Sequence, residues 1–212
     1  MTYNTIINTN ADCAVCGFSL KFFNTPLIKN VFAKTKIFKK EQILQNIIFN
    51  HKVGFSLWNK IFRADLLEGM EFDCSLKFGE DFDFVIRYVK KCKSVAYINK
   101  KMYKYMYTLG SETNQKFSEK KLTFINCLQN LIKEEQDEAL KQMFKAWLAF
   151  TSNTYIYLIK KSKYSTNTWH EMWKLTHENK QYFKKFKIDF IYKTVFNLGL
   201  KTWAKKEPKL DE

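Results

Sequence analysis

The spacing of apolar residues changes near residue 114, and this change constrains the fold more than any other feature of the sequence. Before this point, apolar runs typical of strands alternate with short helical patterns. After it, apolar residues recur every three or four positions and no convincing strand pattern appears. The 212 residues include only six glycines and two prolines, which favours long regular elements. The sequence therefore predicts an α/β part at residues 1–113 and an all-helical part at residues 114–212.

The first part combines strand patterns with one clear amphipathic helix. Apolar residues predict a strand within 11–23, a short helix within 39–50, and an extended segment leading into a short helix within 54–69. A further strand is predicted over 94–99, before a turn at 109–111. The amphipathic helix is predicted from Glu80 onwards, and the three tyrosines after residue 99 alternate so that their rings share one face. The apolar residues of the helix are Phe84, Val85, Tyr88, Val89 and Cys92, and the tyrosines are Tyr103, Tyr105 and Tyr107.

Four helices are predicted in the second part. Apolar stripes indicate a first helix within 122–132 and a longer one within 140–158. Thr168 and Glu171 have the spacing of a capping box, which predicts the start of a third helix. A fourth is predicted between Ile188 and Trp203, where lysines separate the apolar residues.

The net charge of +15 bears on the class of partner. Lysine-rich faces attract phosphate in nucleic acids, sugar nucleotides or anionic lipid head groups. An equally open interpretation is that AT-rich codons raise the lysine content. The sequence shows no helix-turn-helix, zinc-finger, RRM or KH pattern, and acidic residues interrupt the basic runs. Nucleic acid is therefore not the expected partner.

The cysteines and the N-terminal residues bear on the compartment. Cys13 and Cys16 have the spacing of a zinc pair, but no second pair of ligands follows, so buried strand cysteines are the favoured interpretation. The three histidines have neither triad nor ligand spacing. No signal-peptide pattern and no stretch of about 18 apolar residues is present. We therefore expect reduced thiols and a cytoplasmic protein.

Six short motifs follow one another between residues 58 and 113. They are Trp58-Asn59-Lys60, Phe72-Asp73, Gly79-Glu80-Asp81, Tyr97-Ile98-Asn99-Lys100, Tyr103-x-Tyr105 and Gly110-Ser111-x-Thr113. Together they resemble the second half of the catalytic domain of family 2 glycosyltransferases of the bacterial capsule and lipooligosaccharide type. Residues 11–18 are similar to the strand that opens this half, whereas the helical part matches only in general character. The resemblance implies part of an A-type glycosyltransferase fold.

The resemblance also assigns roles to individual residues. It implies that Asp81 is the catalytic base and that Glu80 orients this base or the acceptor. Chemistry agrees, since an inverting transfer needs a carboxylate that accepts the proton of the acceptor hydroxyl, and a helix N-terminus keeps a carboxylate ionised. The alternative is that the pair simply caps a helix. The residues expected to bind substrate are Trp58, Asn59, Lys60, Tyr105 and Ser111.

Two further side-chain questions arise in the same stretch. Asp81-Phe82-Asp83 spells the family's metal motif, but residues two apart on a helix do not share a face, so no metal site is expected and Asp83 should be solvated. Among the aromatic residues, Tyr103 and Tyr107 are expected to pack in the core. For Trp58 and Tyr105, stacking on a sugar and packing in the core remain equally open.

The sequence departs from the family in two ways. The nucleotide-binding half of about a hundred residues, which would precede residue 1, has no counterpart here. Met106 stands where the family has an arginine that meets the donor diphosphate. We therefore expect no sugar transfer by this chain alone, and a nucleotide sugar with Mg²⁺ or Mn²⁺ only alongside the missing half. The explanations are a piece of a longer gene product, a complement to a separate donor-binding chain, or a non-catalytic descendant that binds membrane or a partner.

The helical part suggests one more partner. Its lysines and four tryptophans are typical of helices that lie on anionic membrane surfaces, which would suit a glycan or lipid-linked acceptor and a location on the inner face of the cytoplasmic membrane. The alternative is a bundle that buries the tryptophans in its own core. These residues are Trp147, Trp169, Trp173 and Trp203.

Overall fold

The computed structural model describes residues 2–21, 34–106, 111 and 116–209. The predicted turn at 109–111, except Ser111, lies outside the described residues, as do Tyr107, Gly110 and Thr113. The chain divides into two compact units. The first comprises Met1–Asp73 and Asp81–Asn114, and the second comprises Cys74–Glu80 and Gln115–Glu212. The sequence predicted one division near residue 114 and gave no sign that residues 74–80 belong with the later part.

The first unit is a mixed α/β structure. Its sheet has the strand order β2 (Thr35–Lys39), β4 (Ser94–Met106), β1 (Cys13–Lys21) and β3 (Lys60–Phe62), in which β1 and β4 are parallel and the two outer strands are antiparallel to their neighbours. A 3₁₀ turn at Ala64–Leu67 stands where the sequence predicted a short helix. The elements in chain order are α1 (Thr2–Thr9), β1 (Cys13–Lys21), β2 (Thr35–Lys39), α2 (Lys40–Phe49), β3 (Lys60–Phe62), α3 (Glu80–Lys91) and β4 (Ser94–Met106).

Most elements of this unit agree with the predicted pattern. The strand β1 and the helices α2 and α3 lie where they were expected, and the strand and the tyrosine segment after α3 form one continuous strand, β4. The amphipathic prediction for α3 is confirmed, since Val85, Tyr88 and Val89 are buried. Helix α1 and strand β2 were not predicted.

The central strands β1 and β4 extend beyond their outer neighbours. Among the described residues, β3 pairs with β1 only at 13–15, and β2 pairs with β4 only at 94–98. Beyond these pairs, residues 17–21 of β1 face residues 101–106 of β4, after a shift of register at Gly17. A Cβ at position 17 would lie 3.1 Å from the carbonyl oxygen of Lys100, so glycine permits this close approach. The result is a two-stranded ribbon.

A buried hydroxyl joins the start of β1 to β3 and α3. The Tyr88 hydroxyl donates to the carbonyl oxygen of Asp12 at 2.7 Å and accepts from the backbone N–H of Arg63 at 2.8 Å. The Asp12 carboxylate accepts from the backbone N–H of Lys93 at 2.6 Å and pairs with the Arg63 guanidinium at 3.0 Å. These bonds satisfy the backbone groups where three elements meet.

The second unit is helical in its described part. Helices α4 (Leu122–Glu134), α5 (Glu138–Ser162), α6 (Thr166–Phe183) and α7 (Phe190–Lys201) match the four predicted stripes. The predicted capping box is wrong in its position. Ser165, not Thr168, caps α6, and its hydroxyl oxygen accepts from the backbone N–H of Thr168 at 3.3 Å. Thr168 therefore already lies inside the helix.

Hydrogen bonds of Asn153, a residue of α5, hold α7 against α5. The Asn153 side-chain amide is buried and donates to the carbonyl oxygen of Phe196 at 2.9 Å. Its Oδ1 and its backbone oxygen both accept from the indole N–H of Trp203, at 2.9 and 2.7 Å. A Cβ at Gly199 would lie only 2.6 Å from Cγ of Asn153, so α7 approaches α5 more closely than any larger residue would allow.

The four tryptophans of this unit pack mainly against its own side chains. Trp147 is buried and stacks on Phe150, with ring centroids 4.9 Å apart. The other three are half-buried. The bundle interpretation of the tryptophans therefore describes this unit better than insertion of the tryptophans into a membrane. Among the described residues, no helix is long and apolar enough to cross a membrane.

Candidate functional site

An aromatic cluster occupies the two-stranded ribbon of the first unit. The Trp58 ring stacks on Tyr103, with centroids 4.4 Å apart and planes inclined by 23°. It also contacts Tyr105 at 5.4 Å and the edge of Phe18 at 5.0 Å. All four side chains are half-buried. We call Phe18, Trp58, Tyr103 and Tyr105 the aromatic cluster.

The backbone explains how these rings meet. Tyr103 and Tyr105 are two apart on β4, so their side chains point to the same side of the strand, as their alternation predicted. Phe18 of β1 is the register partner of Tyr103. Trp58 lies just before β3, which pairs with the other edge of β1. The sequence indicated Trp58 and Tyr105 but missed Phe18, although its place in a predicted strand could have suggested it.

Asp81 lies beside the segment that carries Trp58. One carboxylate oxygen of Asp81 is 3.4 Å from the backbone N–H nitrogen of Leu57, the residue before Trp58. Asp81 is half-buried at the second position of α3, where the exposed N–H groups of a helix favour a negative charge. Residues far apart in the sequence therefore bring a carboxylate to the segment that carries Trp58. Glu80, the first residue of the helix, is exposed.

Asn59 forms hydrogen bonds within the chain. The side chain is buried, and its amide donates to the carbonyl oxygens of Cys16 at 3.1 Å and Val53 at 3.4 Å. Its Oδ1 accepts from the Lys60 ammonium at 3.0 Å. Asn59 therefore connects the segment before β3 to β1, and its expected role in substrate binding stays a prediction.

Lys60 also forms hydrogen bonds within the chain. Its ammonium donates to the carbonyl oxygens of Val53 at 3.3 Å and Ser56 at 2.7 Å, in addition to Asn59. A lysine has three N–H donors, and these three oxygens can use all of them. These bonds replace water around the part-buried ammonium and hold the shape of residues 53–59. The expected contact of Lys60 with substrate stays a prediction.

Burial lowers the pKa of Lys60 to about 8, and nearby groups oppose this shift. The largest cause is the loss of water around the ammonium, and the negative charge of Asp81 acts in the opposite direction.

Asp83 is not solvated, and this corrects a second expectation. Its carboxylate binds the Arg87 guanidinium at 2.6 Å, and only 13% of its side chain is exposed. The residue between the two aspartates, Phe82, is buried against Phe55. Asp81 and Asp83 thus use different partners and do not form a joint metal site. The described residues contain no cluster of three or more histidine, cysteine or acidic side chains that could hold a metal ion.

The other residues that the sequence singled out contribute less to the description of the site. Ser111 is half-buried, and its neighbours 110 and 112 lie outside the described residues. Met106 is exposed at the end of β4. Cys13 and Cys16 are buried in β1, as the strand interpretation predicted, and burial raises the pKa of the Cys13 thiol to about 12. Such a thiol is a poor nucleophile.

No protein-family model matches the chain, and a search of curated proteins finds no significant match.

Proposed function

We propose that the first unit is the acceptor-binding part of a sugar transferase that builds bacterial surface glycans. In this proposal the aromatic cluster binds a glycan or lipid-linked acceptor, and Asp81 accepts the proton of the acceptor hydroxyl. The fold would be the acceptor half of an A-type glycosyltransferase, working in the cytoplasm where its thiols stay reduced. The observation that carries the proposal is the position of the Asp81 carboxylate next to the segment that presents Trp58.

The half-buried rings support binding of a sugar. Aromatic faces pair an apolar surface with a polar edge, and binding sites commonly combine such rings with a few polar groups. Trp58 is held between Tyr103 and Phe18, and Lys60 and Asn59 fix the segment before it. A rigid ring loses little entropy when a ligand stacks on it.

The reaction assigned to Asp81 is a proton transfer coupled to displacement. As the acceptor hydroxyl oxygen forms its bond to the anomeric carbon, its proton passes to the carboxylate of Asp81. The bond from the anomeric carbon to the phosphate oxygen breaks, and the nucleoside diphosphate leaves. No described residue is assigned to neutralising that diphosphate, and the proposal gives this task to a donor-binding partner or further residues. Such general-base catalysis contributes about 10²- to 10⁴-fold in rate.

Glycan binding is tested first because it needs no donor. The labelled protein is applied to an array of bacterial capsular and lipooligosaccharide fragments. We expect Trp58→Ala and Tyr105→Ala to weaken binding by roughly tenfold or more each, since both remove ring surface. Tyr157→Ala is the matched control, because Tyr157 is an exposed tyrosine of the second unit. An array signal that survives both cluster variants would refute the proposed glycan site.

The role of Asp81 is tested in cells that produce the protein. Asp81→Asn keeps the size of the side chain and should leave glycan binding on the array intact. We expect it to abolish the corresponding surface glycan, measured by mass spectrometry of extracted polysaccharide. Normal glycan levels with the Asn variant would remove Asp81 from the role of base. The intact mass of the native polypeptide shows whether the donor-binding residues belong to the same chain.

A further inference from the structure

The outer face of α7 is apolar and exposed. Phe190 is 79% exposed, Ile191 48% and Leu198 51%. Residues at positions i, i+1 and i+8 of a helix lie on one side, and the half-exposed Val195 at i+5 borders them. We call Phe190, Ile191, Val195 and Leu198 the outer face of α7.

The opposite face of the helix already holds α7 in place. Phe196 is buried and packs against Phe183, with centroids 4.1 Å apart. Tyr192 contacts Trp147 at 5.3 Å. Asn153 binds the carbonyl oxygen of Phe196. These inner contacts hold the helix in place. The large apolar side chains on the outer face are therefore not needed for packing within the unit.

Positive charge surrounds the outer face. Between residues 184 and 209 there are eight lysines and only two acidic residues. Of the two acids, Asp189 caps the start of α7 and Glu207 pairs with His170 at 2.9 Å. The exposed lysines are Lys184, Lys185, Lys187, Lys193, Lys201, Lys205, Lys206 and Lys209.

We propose that the outer face of α7 docks the protein on an anionic lipid bilayer. Helix α7 would lie in the plane of the membrane, with Phe190, Ile191 and Leu198 entering the boundary between head groups and acyl chains. The surrounding lysines would contact the anionic head groups. With 12 residues the helix is about 18 Å long, which suits lying on a bilayer and is too short to cross its hydrocarbon core.

The combination of charges and apolar groups favours lipid over other occupants. A second copy of the chain would bring one set of lysines against another, and like charges oppose such an interface. A nucleic acid would attract the lysines, but its phosphate backbone offers no apolar phase for Phe190 or Leu198. An anionic bilayer satisfies both. The inference stands on α7 alone and does not depend on the sugar site.

Co-sedimentation with lipid vesicles tests the docking. The whole protein is mixed at low salt with vesicles of phosphatidylcholine, alone or with one third phosphatidylglycerol. We expect binding only to the anionic vesicles. Phe190→Ser combined with Leu198→Ser should lower the partition constant by about tenfold or more, through loss of buried apolar surface. Lys193→Gln combined with Lys201→Gln should lower it by roughly twenty-five-fold, about fivefold for each lysine.

Two control variants test whether the effect depends on where the apolar or lysine residues lie, and not only on removing residues of that kind. Tyr3→Ser combined with Ile7→Ser removes side chains that are 66% and 62% exposed on α1, a helix without lysine, and should leave vesicle binding unchanged. Lys36→Gln combined with Lys101→Gln removes the same charge from exposed positions of the first unit and should change it by less than threefold. Unchanged far-UV circular dichroism melting shows that the variants are folded.

Three results would overturn the docking. The first is no binding of the wild type to anionic vesicles at low salt. The second is unchanged binding by the Phe190 and Leu198 variant, which would leave only general attraction between charges. The third is a dimer in analytical ultracentrifugation that this variant dissociates, with no vesicle binding by either protein, which would assign the outer face to a second copy.

Discussion

Replacing Gly199 with alanine tests the close contact between α7 and α5. The new Cβ would lie 2.6 Å from Cγ of Asn153, a buried side chain with hydrogen bonds at both ends of its amide. Overpacking of this kind costs about 1–3 kcal/mol. Alanine in a helix is favoured over glycine by about 1 kcal/mol, which offsets part of this cost. A Cβ this close to a hydrogen-bonded amide should cost about 2–3 kcal/mol, the upper half of that range, so we expect a net loss of about 1–2 kcal/mol in the free energy of unfolding.

The sign of this effect should change when Asn153 is shortened. Asn153→Ala alone should cost about 1–3 kcal/mol, because the bond to Phe196 is lost, while the backbone oxygen of residue 153 still accepts from Trp203. The same change removes the atoms that obstruct a Cβ at 199. In the Asn153→Ala background, Gly199→Ala should therefore stabilise by up to about 1 kcal/mol. The coupling energy would be about 2–3 kcal/mol.

Urea denaturation followed by tryptophan fluorescence measures this cycle. Trp58 is the only one of the five tryptophans in the first unit, so a Trp58→Phe background confines the signal to the second unit. Asn197→Ala, at an exposed position of the same helix, is the control and should change stability by less than about 0.5 kcal/mol. Equal costs of Gly199→Ala in both Asn153 backgrounds would refute the proposed contact.

Three further predictions concern stability. Tyr88→Phe should cost about 1–3 kcal/mol in urea denaturation, because the bonds to Asp12 and Arg63 disappear from a buried site; a cost near zero would contradict this. The free energy of unfolding should fall as the pH rises above 9.0, because the Cys13 pKa is about 12 in the folded state and the unfolded chain loses this proton first. Cys13→Ala should make this fall shallower, whereas Cys74→Ala, at an exposed position, should not. Ser165→Ala should lower the free energy of unfolding by about 1 kcal/mol and Thr168→Ala by less. A larger loss for Thr168→Ala than for Ser165→Ala would support Thr168 as the residue that caps α6.

Sequence patterns predicted the elements that bury one continuous face. Helices α3, α4 and α5 each carry apolar stripes whose side chains are largely buried. In α7 the pattern predicted the helix although Phe190, Ile191 and Leu198 are exposed. Helix α1 lacks such a stripe: its sequence is rich in asparagine and threonine, which are poor helix formers, and only Ile6 packs on the cluster of Ala11, Ala14 and Ala96. Strand β2 is an edge strand in which only Phe38 is buried, so it shows no alternation.

For the candidate site, too, local sequence patterns predicted only part of the arrangement. Alternation placed Tyr103 and Tyr105 on one side of β4, and a short motif singled out Trp58. The roles of Asn59 and Lys60 depend on carbonyl oxygens of Cys16 and of residues 53–56, which only the folded chain brings together. The pairing of Asp83 could have been predicted, since Arg87 follows it at the favourable helical spacing of four.

The two-stranded ribbon has a consequence for how a ligand would bind. Among the residues that the structure describes, no further strand pairs with the ribbon, and such a pair of strands is marginally stable in water. Residues 17–21 and 101–106 should therefore exchange their amide hydrogens faster than the four-stranded part of the sheet. A ligand that stacks on Trp58 and Tyr105 joins the ribbon to the segment before β3 and suppresses this local opening. Ordering the ribbon offsets part of the free energy of ligand binding. The affinity for the ligand is therefore lower, and the ligand dissociates faster. In the proposed function, faster release would suit an acceptor site that must free its product after transfer.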